Sequence, residues 1–318
     1  MNGSTIIAIV LLLTGITMPS TAQKINQRYT DHKEKIHLIG KCERASLTEA
    51  PFDEWYNKYY KSYELDKELL TKSEGKLDDI TIEIFMGTWC GDSKRGVPQF
   101  YKVMDHLKVK EGQISLINLY DSHKGYKQGP NHEEKGKLIH RVPTFIFYKE
   151  GKEIGRIVET PATSFEMDIA QIMHGLPPSP TYKIVPAVEK ILLAEGVTND
   201  RKALLKIAQR VYKSAEGDKA LNTYGYVLLE NNEIEKAIAV LTINSMIFSR
   251  NANTWDSLAE AYEKNKEFEK AFLHYEKALS INPGLKNAKK KVEELSKYKP
   301  VEKKKAEGKK TEQKKAKS

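Results

Sequence analysis

The stretch Thr88-Trp89-Cys90-Gly91-Asp92-Ser93-Lys94-Arg95 holds the residue types best suited to chemistry in this chain of 318 residues. The apolar segment Thr81 to Gly87 before it reads as a buried strand. Val97, Phe100, Met104 and Leu107 after it recur at helical spacing, with Pro98 near the first turns. Cys90 is thereby expected at a strand-to-helix junction, where unpaired backbone N–H groups and the helix dipole favour an anion. A free cysteine titrates near ~8.5, and a helix N-terminus lowers that by one to several units, which favours the nucleophilic thiolate. Lys94 and Arg95 act in the same direction, and Asp92 opposes them.

The surrounding elements form one α/β pattern. Lys35 to Cys42 reads as a short strand, and Phe52, Trp55, Tyr56, Tyr59 and Tyr63 as one face of a helix, with core packing the simpler account of the aromatics. Gln113 to Tyr120 is a third strand. A polar stretch with glycines, assigned a short helix, leads to two strands joined at Glu150-Gly151 and a helix from about Ser164 to Met173.

Trp89-Cys90-Gly91-Asp92-Ser93, with Val142-Pro143-Thr144 some 50 residues on and a strand-Glu-Gly-strand hairpin after it, resembles the thioredoxin superfamily over roughly residues 35 to 175. The resemblance implies a thioredoxin-like α/β domain with Cys90 as the exposed nucleophile. It implies that Pro143 is a cis-proline facing that cysteine, with Ser93 as a further catalytic position. Trp89, Gly91, Asp92, Val142 and Thr144 are implied to line the substrate groove, the Val142 backbone pairing with an extended peptide. Three positions depart from the family pattern: Ser93 stands where a second cysteine is usual, Ile84 where a buried carboxylate is usual, and Glu159 where a glycine is usual.

A Cys-x-x-Ser site still attacks a disulfide through its one thiolate, but it stops at the mixed disulfide. Release then requires a thiol from a small molecule, a partner protein or Cys42. Cys42 is either that resolving thiol or an inert buried one, since bridging needs Cα atoms within about 7 Å.

Residues 176 to 186 contain four prolines and are assigned as a linker. The remainder is helical. A shift of 34 residues aligns Gly225 with Ala259, Leu228 with Tyr262, Ala237 with Ala271 and Leu241 with Tyr275. The second copy, with Trp255, Leu258, Ala259, Tyr262, Ala271, Tyr275, Ala278 and Pro283, resembles the tetratricopeptide repeat. Repeats are placed at about 218–251 and 252–285 within a helical array over 187–297. A helix at about 201–215 and the segment 286–295 serve as caps, because two repeats alone bury too little.

Composition narrows the rest. Two cysteines exclude a disulfide-stapled scaffold and a four-cysteine zinc site. Of the net charge of +9, the last 18 residues supply +5 (eight Lys against three Glu), so 298–318 reads as a disordered lysine-rich tail rather than a nucleic-acid surface. The eight histidines include no HExxH pair, and His132-Glu133-Glu134 reads as solvated surface, so no metal site is assigned. No phosphate-binding glycine loop or G-x-S-x-G elbow occurs, and no cofactor is implied. Residues 1–22 carry no charge and hold a 13-residue apolar run, too short to span a membrane, ending in Ser20-Thr21-Ala22; they read as a cleaved export signal.

The expectation is an exported protein, periplasmic or extracellular, with no membrane span once the signal is removed. It exchanges thiols and disulfides through Cys90 with cysteine-containing exported proteins or small-molecule thiols, while the repeats dock a protein or peptide. The alternative is an adaptor in which both domains bind polypeptides and no electrons move.

Overall fold

A computed structural model describes residues 24–71, 73–121, 125–179 and 181–300. The export signal and residues 301–318 of the lysine-rich tail assigned from the sequence lie outside the described residues, whereas Tyr298, placed in that tail, stacks on Phe268 at 4.8 Å and belongs to the helical half.

The first half begins with β1 (Gln27–Thr30) and β2 (Ile36–Cys42), followed by α1 (Asp53–Ser62) and the short α2 (Lys67–Thr71). Next come β3 (Ile80–Met86), α3 (Gly91–His106), β4 (Ile114–Asn118), β5 (Thr144–Lys149), β6 (Lys152–Val158) and α4 (Phe165–Met173). The six strands form one sheet in the order β1-β2-β4-β3-β5-β6. β3 is central, parallel to β4 and antiparallel to β5, and both its faces are covered. Ile82, Ile84 and Met86 point into a core with Phe100 of α3, Phe165 of α4 and Tyr56 of α1. The alternate residue Phe85 joins Ile117, Ile139, Val142 and Ile146 on the other face. The Phe100 ring stacks on Phe145 at 4.4 Å between centroids, which fixes α3 against the sheet.

The second half is α5 (Ile184–Glu195), α6 (Arg201–Val211), α7 (Lys219–Glu230), α8 (Ile234–Ile247), α9 (Ala252–Lys264), α10 (Phe268–Ile281) and α11 (Lys286–Glu294). α7/α8 and α9/α10 are the two antiparallel pairs that the 34-residue shift marks. Ala259, Ala271 and Ala278 have no exposed surface, and a Cβ on Gly225 would lie 2.6 Å from the Leu241 side chain, so the small residues are where helices touch.

Four local expectations are corrected. Among the described residues between β4 and β5 there are turns and no helix. Gly125, Gly129, Pro130 and Gly136 interrupt the segment, and Lys127, His132 and Leu138 take left-handed φ values of 55 to 58°. The linker ends at residue 183, because Ile184, Val185 and Pro186 open α5; proline is tolerated in a first turn, whose N–H groups have no helical partner. α3 starts as early as Gly91, which leaves Pro98 inside the helix rather than near its start. β1 was not foreseen, since its alternating half-exposed residues lack an apolar signature.

The two halves are joined by more than the linker. Leu138, from the segment before β5, and Tyr182 both pack against the helical core. Gln128 Nε2 donates to Asn231 Oδ1 at 2.6 Å, and an Arg141 guanidinium N–H donates to the Lys219 carbonyl at 3.3 Å.

Candidate functional site

β3 delivers the chain to Gly87, and α3 starts at Gly91. Cys90 is the N-cap residue, with extended backbone (φ −87°, ψ 127°), and its carbonyl accepts the Lys94 N–H at 3.0 Å. Its side chain makes no capping bond, and the first turn of α3, the positive end of the helix dipole, starts at the next residue. The half-buried thiol donates to the Val142 carbonyl at 3.3 Å, and the Val142–Pro143 peptide is cis. Thr144 opens β5 and anchors this turn by donating its hydroxyl to the Arg141 carbonyl at 2.8 Å. Trp89 is fixed by its indole N–H on the Leu119 carbonyl at 2.8 Å, and it packs over Gly87, where a Cβ would lie 2.4 Å from the ring. Asp92 pairs with Arg95 at 2.5 Å on the exposed face of the first turn beside Gly91.

Residues 46–171 match the thioredoxin family model, and residues 252–285 match the tetratricopeptide repeat model. The chain carries a thioredoxin-like domain and a tetratricopeptide repeat. No curated protein matches it.

Within the thioredoxin-like domain, the three departures from the family pattern have definite structural roles. Ser93 is fully buried and its hydroxyl oxygen accepts the Gly87 N–H at 3.3 Å, so it ties the end of β3 to α3. Ile84 is fully buried in the aliphatic and aromatic core, so no carboxylate lies beneath the cysteine at that position. Glu159 keeps the left-handed backbone (φ 64°) that favours glycine. Its N–H donates to the Pro143 carbonyl at 2.6 Å, and its carboxylate accepts from the Tyr182 hydroxyl and faces Arg141 at 3.6 Å. A position that glycine usually leaves bare here ties the cis-proline turn to the chain leading into the repeats.

Cys42 is not brought to Cys90. It is the last residue of β2, paired with Leu116 and through it level with Ile84, six residues before Cys90. Leu38, whose N–H donates to the Thr88 hydroxyl, marks the end of β2 near Cys90. Cys42 lies four residues beyond it, or about 13 Å of strand, well past disulfide reach. Burial pushes its thiol up to about 11, as befits an inert buried sulfur.

Two residues that sequence reasoning passed over complete the site. Lys127 is 4% exposed, with its ammonium close enough to Cys90 to interact electrostatically; burial pushes it down to about 7. His140, three residues before Pro143, stands edge-on to both Tyr182 and Tyr224, so the cis-proline turn is seated against the helical half. Lys127 sits in a polar segment without periodicity, and the sequence carries no signal for it.

Proposed function

We propose that Cys90 performs thiol-disulfide exchange on protein disulfides, with the repeats holding the protein partner. The observation that carries this reading is the half-buried Cys90 thiol at the N-terminus of α3, 3.3 Å from the Val142 carbonyl beside the cis Val142–Pro143 bond. A sulfur there is open on one side and faces backbone that an extended peptide pairs with. The thiolate attacks one sulfur of a substrate disulfide, forms a Cys90–substrate disulfide and expels the other sulfur as a thiolate. With Ser93 at the fourth position and Cys42 out of reach, a second thiol from outside the chain attacks the mixed disulfide and restores Cys90. The apolar, uncharged run of residues 1–22 supports an oxidising compartment, periplasmic or extracellular, in which such disulfides persist.

Reduction of a model protein disulfide in the presence of glutathione tests the reading. Wild type turns over, and Cys90→Ser falls to the uncatalysed rate while remaining folded. Equal rates for the two proteins overturn it. The buried Ser93, engaged with Gly87 rather than offering a second sulfur, favours a second reading as a polypeptide-binding adaptor, which equal rates would leave standing.

A further inference from the structure

On the sheet end that holds Thr88, two residues before Cys90, a buried histidine meets two carboxylates from separate segments. His37 belongs to β2, Asp31 to the turn between β1 and β2, and Asp121 to the chain just past β4. One donor atom from each lies within 4.8 Å of the others.

Each of the three side chains has one atom held by a group outside the trio and one atom turned to the centre, where Asp31 Oδ2 and His37 Nε2 now share a hydrogen bond that a bound ion would replace. Asp31 Oδ1 accepts the Lys33 and Lys35 N–H groups, both at 2.8 Å, leaving Oδ2, which lies 3.2 Å from His37 Nε2. Asp121 Oδ1 accepts the Tyr29 hydroxyl at 2.9 Å, leaving Oδ2. His37 Nδ1 lies 3.2 Å from the Thr88 hydroxyl, and the ring is 4% exposed, so it cannot swing away. Outer partners on the far atom of every ligand are the arrangement that orients metal-binding side chains.

We propose that Asp31, His37 and Asp121 form a binding site for a divalent transition-metal cation of the zinc class. Two carboxylates balance the ion's charge, and the imidazole nitrogen selects against calcium and magnesium, which prefer all-oxygen sites. With its hydrogen on Nδ1, donated to Thr88, His37 presents the Nε2 lone pair to the ion. Three protein ligands leave a coordination position for water. Because Thr88 is both the support of His37 and the start of the Thr88-Trp89-Cys90 turn, a bound ion stiffens the chain that carries the thiol. The site stands whether or not Cys90 exchanges disulfides.

The test is titration of the full chain, without a histidine tag and with Cys90 alkylated, using zinc chloride after chelator treatment. The expected result is saturable uptake of one ion per chain with a raised melting temperature, and affinity at least tenfold weaker in Asp121→Asn and Asp31→Asn. Long-range proton–nitrogen spectra of the unsubstituted protein supply a readout independent of the variants, and zinc must shift the ring nitrogens of His37. Absence of saturable uptake, unaltered affinity in both variants, or a shift confined to other histidines overturns the site.

Discussion

The ammonium of Lys127 lies 3.4 Å from the centroid of the Tyr126 ring and 5.9 Å from that of Trp89, held by aromatic faces beside Cys90. A charge so placed strengthens a neighbouring thiolate while it is protonated, and its buried position brings its titration down to about 7. Lys127→Met therefore slows alkylation of Cys90 by iodoacetamide roughly three- to tenfold at pH 6. Above about pH 9 the amine is neutral in the wild type and the two rates converge. Rates that differ equally at both pH values sink this account.

Burial of the same amine makes stability depend on pH. The folded chain releases the proton near 7, whereas an unfolded lysine holds it to about 10.4, so the unfolded state binds more protons across that interval. The unfolding free energy of wild type minus that of Lys127→Met accordingly rises with pH between 7 and about 10. Urea titrations at pH 7 and 9.5 read the difference, and a flat or falling value contradicts the burial.

His140 carries the opposite end of the pH range. Burial, with repulsion from Arg141, Arg156 and Lys127, pushes it down to about 4, and its Nε2 has no hydrogen-bond partner among the described residues. Since an unfolded histidine takes a proton near 6.5, wild type loses stability as the pH falls from 6.5 to 4, by at most about 3 kcal/mol from this residue. His140→Phe fills the space between Tyr182 and Tyr224 without a titrating group. Its stability changes less between pH 7 and 4.5, and an unchanged acid profile would show that His140 is not responsible.

Ser93→Cys restores a second sulfur to the first turn of α3. The expected outcome is an internal disulfide between Cys90 and the introduced thiol on oxidation, and a first round of substrate release that no longer needs glutathione, which is then required only to reduce the internal disulfide before the next round. The cost is about 1 kcal/mol of stability from the lost bond to the Gly87 N–H. Mass spectrometry of the oxidised variant decides whether the disulfide forms.

Much of this was legible in the residues themselves. Ala259 and Ala271 sit at fixed offsets from Trp255 and Tyr262 because paired helices come closest where small residues meet while the large ones fill the space between them, and that constraint survives as a 34-residue period. Cys90 was legible because an apolar strand and an amphipathic helix bracket it. The segment before β5 was not, since its turns rest on single left-handed residues such as Lys127 and His132 that no periodicity announces. Asp31, His37 and Asp121 escaped for another reason: they gather across three strand ends, and 84 residues separate the last two.

Leu138 belongs by sequence to the sheet half, yet its side chain packs in the helical core, a few residues from the turn that faces Cys90. Separating the halves strips Leu138, Tyr182 and the face of His140 of their apolar cover at once. A fragment cut at the linker consequently leaves an apolar surface beside its reactive thiol.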